Sequence, residues 1–161
     1  MKRGGGAGTA GETRRFEIVL AEDNPADAEL VREALEQHNV HCSLHVICDG
    51  AQAMELIDRL DADPKEPRLD LLLVDMLLPK RDGEAVLRRL RSTERYAQTP
   101  VVVISGLSSS AVEEAAIRNA AVVYFKKPAA LEEFMRLGSI VRQVLEQTTA
   151  NEIETDRRGA A

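Results

Sequence analysis

The most constraining stretch of the chain is Leu71 to Gly83, LLLVDMLLPKRDG. Leu71, Leu72, Leu73 and Val74 run without interruption into Asp75. An apolar run of this kind, bounded by turn signals, reads as a strand buried on both faces. Asp75 then falls at the strand's carboxyl end, where open α/β sheets place their functional crevices. Pro79 and the Asp82-Gly83 pair force a loop after it. An acid at a strand tip, followed by a stiff loop, is a positioned carboxylate. Taken alone, Asp75 reads more readily as a cap for the next helix, where Asp is common.

The rest of the chain repeats the pattern. Phe16 to Ala21 is a short strand ending in Glu22-Asp23-Asn24-Pro25, and a helix follows to about His38. Asn24 suits its cap and Pro25 its first position. Cys42 to Cys48 is a second strand, and Ala51 to Leu60 a second helix. Gly83 to Arg91 is a third helix, and Pro100 to Ile104 a fourth strand that ends in Ser105-Gly106. Ser110 to Glu113 is a capping-box pattern opening a fourth helix. Val122 to Phe125 is a fifth strand, ending in Lys126-Lys127-Pro128, and a last helix runs from Leu131 to about Gln147. Strand and helix thus alternate five times. That predicts an α/β fold, a doubly wound five-stranded parallel sheet with five helices and right-handed crossovers.

Residues 1–15 are glycine-rich and nearly without large apolar side chains, which predicts a flexible N-terminal tail. Residues 148–161 read as a flexible, frayed polar tail. Residues 16–147 are left as one domain, in keeping with a length of 161. The net charge of -6, with 27 acids against 21 bases, argues against a nucleic-acid partner, which calls for a basic face. No apolar run approaches membrane-spanning length and nothing resembles a secretion signal, so a cytoplasmic protein away from the membrane is expected. His38, His41 and His45 lie near Cys42 and Cys48, but their spacing fits no standard zinc pattern.

The chemistry gathers at the strand ends. The first offers Glu22 and Asp23, the third Asp75, the fourth Ser105 beside small Gly106, and the fifth Lys127. In a doubly wound sheet these ends share one edge. Clustered carboxylates attract a hard cation, and Mg²⁺ prefers such oxygen ligands. With the cation in place, Asp75 can act as a nucleophile towards phosphorus. Lys127 and Ser105 can then stabilise the phosphoryl oxygens.

These residues, in this order, resemble the receiver domain of two-component response regulators, the CheY-like fold. The resemblance rests on Glu22-Asp23, Asp75 with Pro79 and Asp82-Gly83, Ser105-Gly106, Tyr124 and Lys127-Pro128, and it covers about Phe16 to Gln147. It implies the strand order 2-1-3-4-5. It implies Asp75 as phosphoacceptor and Mg²⁺ or Mn²⁺ held by Glu22, Asp23, Asp75 and the Leu77 backbone carbonyl. Lys127 would contact the acid and then the phosphoryl group. Ser105 would swing in to the same group, Tyr124 would turn inward behind it, and the Lys127-Pro128 bond would be cis. The function implied is that of a single-domain response regulator, phosphorylated by a sensor histidine kinase. Phosphorylation would switch the face formed by the fourth helix, fifth strand and fifth helix for partner binding or dimerisation.

Two features narrow this expectation. Leu77 and Leu107, two residues after Asp75 and Ser105, flank the route of attacking water and cannot orient it. Slow loss of the phosphoryl group is therefore expected from a switch that is not otherwise an enzyme. Ala120, where the family usually has Gly, and the Asp61 to Arg68 insertion resemble the stand-alone receivers paired with bacterial phytochromes, which implies a bacteriophytochrome kinase. On the last helix, Leu137, Ile140 and Val144 form a second apolar stripe and a candidate homodimer face. Two alternatives stand beside the main reading. One is a pseudo-receiver used only for contacts. The other is a phosphatase of the haloacid-dehalogenase type, which needs a second Asp where this chain has Leu77.

Overall fold

In the computed structural model, which describes residues 14–160 except 67, 81, 107 and 108, the apolar runs form parallel strands. These are β1 (Phe16–Ala21), β2 (Cys42–Ile47), β3 (Leu71–Asp75), β4 (Val101–Ser105) and β5 (Val123–Lys126), ordered β2-β1-β3-β4-β5. Between and after them run α1 (Pro25–Gln37), α2 (Gly50–Ala62), α3 (Gly83–Ser92), α4 (Ser110–Arg118) and α5 (Leu131–Gly159). The strand order reverses between β1 and β3, so their carboxyl ends flank the crevice of the sheet.

Period-two alternation explains why the central strands are continuously apolar. Ile18, Leu20, Leu71, Leu73, Val102 and Ile104 pack with Val31 and Leu35 of α1 and Phe134 and Val141 of α5. Their alternating neighbours Val19, Ala21, Leu72, Val74, Val101 and Val103 pack with Ile57 of α2, Val86 and Leu90 of α3, and Ala115 of α4. A strand that serves two cores has no polar face to show. The edge strands β2 and β5 are only half-buried, and their sequences are correspondingly less apolar.

Three helices start with side-chain caps next to the carboxyl edge of the sheet. Asn24 Oδ1 accepts the amides of Ala26 (2.9 Å) and Asp27 (3.3 Å), with Pro25 opening α1. Asp49 accepts the Gln52 amide at 2.8 Å, and Asp82 accepts that of Ala85 at 2.7 Å. The capping box predicted at Ser110 does not form. Ser110 is already helical and the cap position falls to Ser109, whose side chain makes no cap hydrogen bond.

Two further expectations are corrected. The stretch predicted as a frayed tail from residue 148 is helical, because α5 continues to Gly159. No proline or glycine falls between residues 148 and 158, the Thr148 and Thr149 hydroxyls donate to the Val144 and Leu145 carbonyls at 2.9 Å, and Glu152 pairs with Arg68 from the α2–β3 loop. The candidate dimer stripe does not face outward. Leu137 and Val144 lie in the core between α5, α1 and the sheet, and Ile140 is half-buried. α5 packs so closely on α1 that a Cβ at Gly138 would stand 2.0 Å from the Ala34 carbonyl oxygen. That approach brings both stripes inward.

Ala120, just past the Asn119 cap of α4, takes φ 54°. A left-handed alanine costs about 1–2 kcal/mol. Arg91 of α3 braces the turn, donating to the carbonyls of Asn119 (2.9 Å), Ala120 (3.1 Å), Ala97 (2.9 Å) and Thr99 (2.6 Å).

Candidate functional site

The site begins with two strand tips. β1 delivers Glu22, 1 % exposed, into the interior and leaves Asp23 at the surface. The Glu22 amide donates to the Ile47 carbonyl at 2.9 Å, which fixes the end of β1 against β2. β3 delivers Asp75, 5 % exposed. Asp75 Oδ1 accepts the Leu77 amide at 2.9 Å, so the turn after the strand orients the carboxylate.

Gly83 closes the loop after Asp75. Its amide donates to the Met76 carbonyl at 3.2 Å. A Cβ there would lie 2.6 Å from Met76 Cα and 2.7 Å from the Asp75 carbonyl oxygen, so only glycine fits. The loop is also tied to the start of α2. The Gly50 amide donates to the Pro79 carbonyl at 3.0 Å, and Lys80, with φ 68°, pairs with Asp49 at 3.1 Å.

Lys127, just past β5, completes the centre. Its amide donates to the Ser105 carbonyl at 2.7 Å, joining the ends of β4 and β5. Its Nζ donates to Glu22 Oε2 at 2.8 Å, Asp75 Oδ2 at 2.9 Å and Asp27 Oδ2 at 2.9 Å. Burial disfavours the Lys127 ammonium, but these three carboxylates more than offset it and hold the group well above the ordinary lysine range. Burial also pushes Glu22 up to about 7, against the opposing hydrogen bonds from Lys127 and the Asn24 amide.

Glu22, Asp23 and Asp75 each offer a carboxylate oxygen, and the three oxygens lie within 4.8 Å of one another. An all-oxygen donor set converging from two strand ends is what Mg²⁺ or Mn²⁺ takes. The residues present therefore fit such an ion.

Of the expected site residues, the structure brings Glu22, Asp23, Asp75 and Lys127 together. Ser105 lies at the end of β4, fully buried. Tyr124 is half-buried against the core shared by α2, α3 and α4, two register steps before the carboxyl end of β5. Gly106 has open space around its Cα, so its smallness is not demanded by packing. Leu77 is 51 % exposed, and Leu107 lies outside the described residues. The expected cis bond at Pro128 is absent. Among the described residues every peptide bond is trans. For an X–Pro bond trans is the default by only about 0.5–1 kcal/mol, and the Lys127 contacts form without the cis isomer. Asp27 is the residue that the sequence reading missed. It reads as an ordinary first-turn acid of α1, and only the fold shows that it faces Lys127.

A doubly wound sheet whose crevice gathers acids from two strand tips around one lysine defines a domain built for phosphoryl chemistry on a carboxylate. The chain belongs to the response regulator receiver domain family, whose sequence model matches residues 18–137. It is 35% identical over 88 residues to the response regulator Rcp1 of Synechocystis, a match covering 55% of this chain and 60% of that protein. The structure resembles that of the phosphorylated cyanobacterial phytochrome response regulator RcpA, with TM-score 0.74 and 29% identity, covering 84% of this chain and 96% of that one. The Mn²⁺-bound form of Rcp1 gives TM-score 0.68 and 28% identity over 76% of this chain and 88% of that one. The bacteriophytochrome response regulator RtBRR gives 0.63 and 28% over 75% and 74%. Among the described residues no helix is long and apolar enough to cross a membrane.

Proposed function

We propose that this domain is a phosphorylation switch in which Asp75 accepts a phosphoryl group, from the phosphohistidine of a sensor kinase or from a small donor. The observation that carries the reading is the Lys127 ammonium, 2.9 Å from Asp75 Oδ2 inside the acidic crevice. An Asp75 oxygen attacks phosphorus, and the bond from phosphorus to the donor's nitrogen or oxygen breaks with its electron pair. Lys127 meets the charge on the phosphoryl oxygens, and the Leu77 amide keeps Asp75 oriented. A Mg²⁺ or Mn²⁺ ion held by Glu22, Asp23 and Asp75 would supply the remaining neutralising charge. The likeness to RcpA, Rcp1 and RtBRR supports a kinase of the phytochrome type. The effect is read out on the side of α4 and β5, where Ile117 and Val122 are exposed. Free Cys42 and Cys48 suit the reducing cytoplasm. The phosphatase alternative lacks its second acid, since Leu77 occupies that place.

The test is intact-mass measurement after incubation with acetyl phosphate and Mg²⁺, on wild type and Asp75→Asn. We expect one phosphoryl adduct on wild type alone, blocked by prior chelation. No adduct from any donor, a cognate kinase included, would leave the pseudo-receiver as the correct reading.

A further inference from the structure

We infer that Asp27 is a positioning residue for this reaction, holding Lys127 Nζ at the phosphoacceptor while the ammonium exchanges its Asp75 bond for a phosphoryl oxygen. The inference rests on the phosphoacceptor reading above.

A lysine ammonium has three N–H donors on a flexible four-carbon stem. Here all three are used, on Glu22, Asp27 and Asp75. Two of those acceptors change role in the reaction. Asp75 forms the new bond to phosphorus, becomes an acyl phosphate and loses its carboxylate charge. Glu22 belongs to the cation-binding set. Asp27 is the one partner that neither reacts nor belongs to that set, so it can hold the ammonium before and after transfer.

The local structure of α1 turns Asp27 to this task. Asp27 is the third residue of α1, the position whose side chain commonly reaches back to the cap residue's own amide. That amide, of Asn24, is already bound by Glu22 Oε1 at 3.1 Å. Asp27 is left to cross to β5, where it meets a lysine 100 residues away in sequence. The pair is well shielded, with side-chain exposures of 13% for Lys127 and 26% for Asp27. A residue serving only the helix dipole has no need of that contact.

The experiment times phosphoryl uptake from acetyl phosphate and Mg²⁺ on the full chain, by intact mass. The variants are Asp27→Ala, Asp27→Asn, Lys127→Ala and the Asp27→Ala/Lys127→Ala pair. Asp27→Ala should slow uptake roughly tenfold, the order of one hydrogen bond to a charged group. Asp27→Asn keeps a neutral acceptor in place and should recover to within about threefold of wild type. In the Lys127→Ala background, Asp27→Ala should change the rate less than about twofold, since residues acting through one contact are not additive. Where Lys127→Ala takes up too little to time, affinity for beryllium trifluoride with Mg²⁺, read from the Leu77 amide resonance, supplies the same cycle. Asp27→Ser suits a first turn but is too short to reach Nζ, so it repeats the test should the alanine variant fold poorly.

Wild-type rates in Asp27→Ala and Asp27→Ser overturn the inference. So does a tenfold loss that persists unchanged on top of Lys127→Ala. A wild type that takes no phosphoryl group at all overturns the proposed function first, and this inference with it.

Discussion

Leu77 shows how one residue can serve the site with its backbone and shape it with its side chain. Its amide orients Asp75, while the residue is 51 % exposed. A leucine there offers no donor or acceptor to a water approaching an acyl phosphate. Loss of the phosphoryl group should therefore be slow. Replacing Leu77→Asn together with Leu107→Glu supplies two groups that can hold that water, and the adduct should decay at least about tenfold faster, the scale of modest general-base help. A mass time course after removing the donor checks it, and an unchanged half-life would show that these positions do not set the rate. The backbone role is insensitive to side-chain type, so nothing in the identity of Leu77 announces it. The leucine's apolarity, by contrast, is legible directly.

At the scale of elements, α1 and α5 are fastened at Gly138. The sequence places this glycine on an apolar helical stripe without saying why it is there. The structure supplies the reason, since a Cβ would sit 2.0 Å from the Ala34 oxygen and 2.7 Å from His38 Cδ2. Gly138→Ala would gain up to about 1 kcal/mol in helix propensity. Against that, forcing backbone apart typically costs about 1–3 kcal/mol, and here the obstacle is a carbonyl that cannot rotate away. We expect a net loss and a thermal midpoint lower by about 5 °C, with phosphoryl uptake unaffected, because the close contacts of Gly138 are with Ala34 and His38, at the end of α1 away from Asp27. A midpoint at or above wild type would mean that the helices separate freely. The same close packing corrects the expectation of a dimer stripe. Periodicity finds two apolar faces on α5, but only the interhelical distance decides whether one face or both are covered.

For the whole molecule, the crevice sets the dependence of stability on pH. Glu22 is held near 7 in the fold against 4.5 when free, so the folded state binds the extra proton between those values. Stability then falls as pH rises through that window. Asp49, whose value is lowered mainly by the Gln52 amide, contributes below the window, and its share is lost as pH falls. Lys127, held high, is affected only at alkaline pH. In chelator, the thermal midpoint should therefore drop from pH 5 to pH 7.5. Millimolar Mg²⁺, binding the ionised crevice of the native state alone, should flatten that slope, as should Glu22→Gln without metal. Calorimetric scans across that range decide it. A flat profile in chelator would mean that Glu22 stays ionised throughout.

The sequence by itself determined the class of fold and most of the site. Uninterrupted apolar runs alternating with helical patterns leave few arrangements besides a doubly wound sheet, and that topology delivers Glu22, Asp23, Asp75, Ser105 and Lys127 to one edge. These are local signals, carried by periodicity and by position at strand ends. Tertiary structure alone decided the rest. It turned Asp27 to Lys127, folded both stripes of α5 inward and tied the end of α5 to Arg68. Each of these depends on a contact between segments far apart in the chain. The carboxylate that a lysine meets, or the backbone that a helix lies against, leaves no trace in the residues around it.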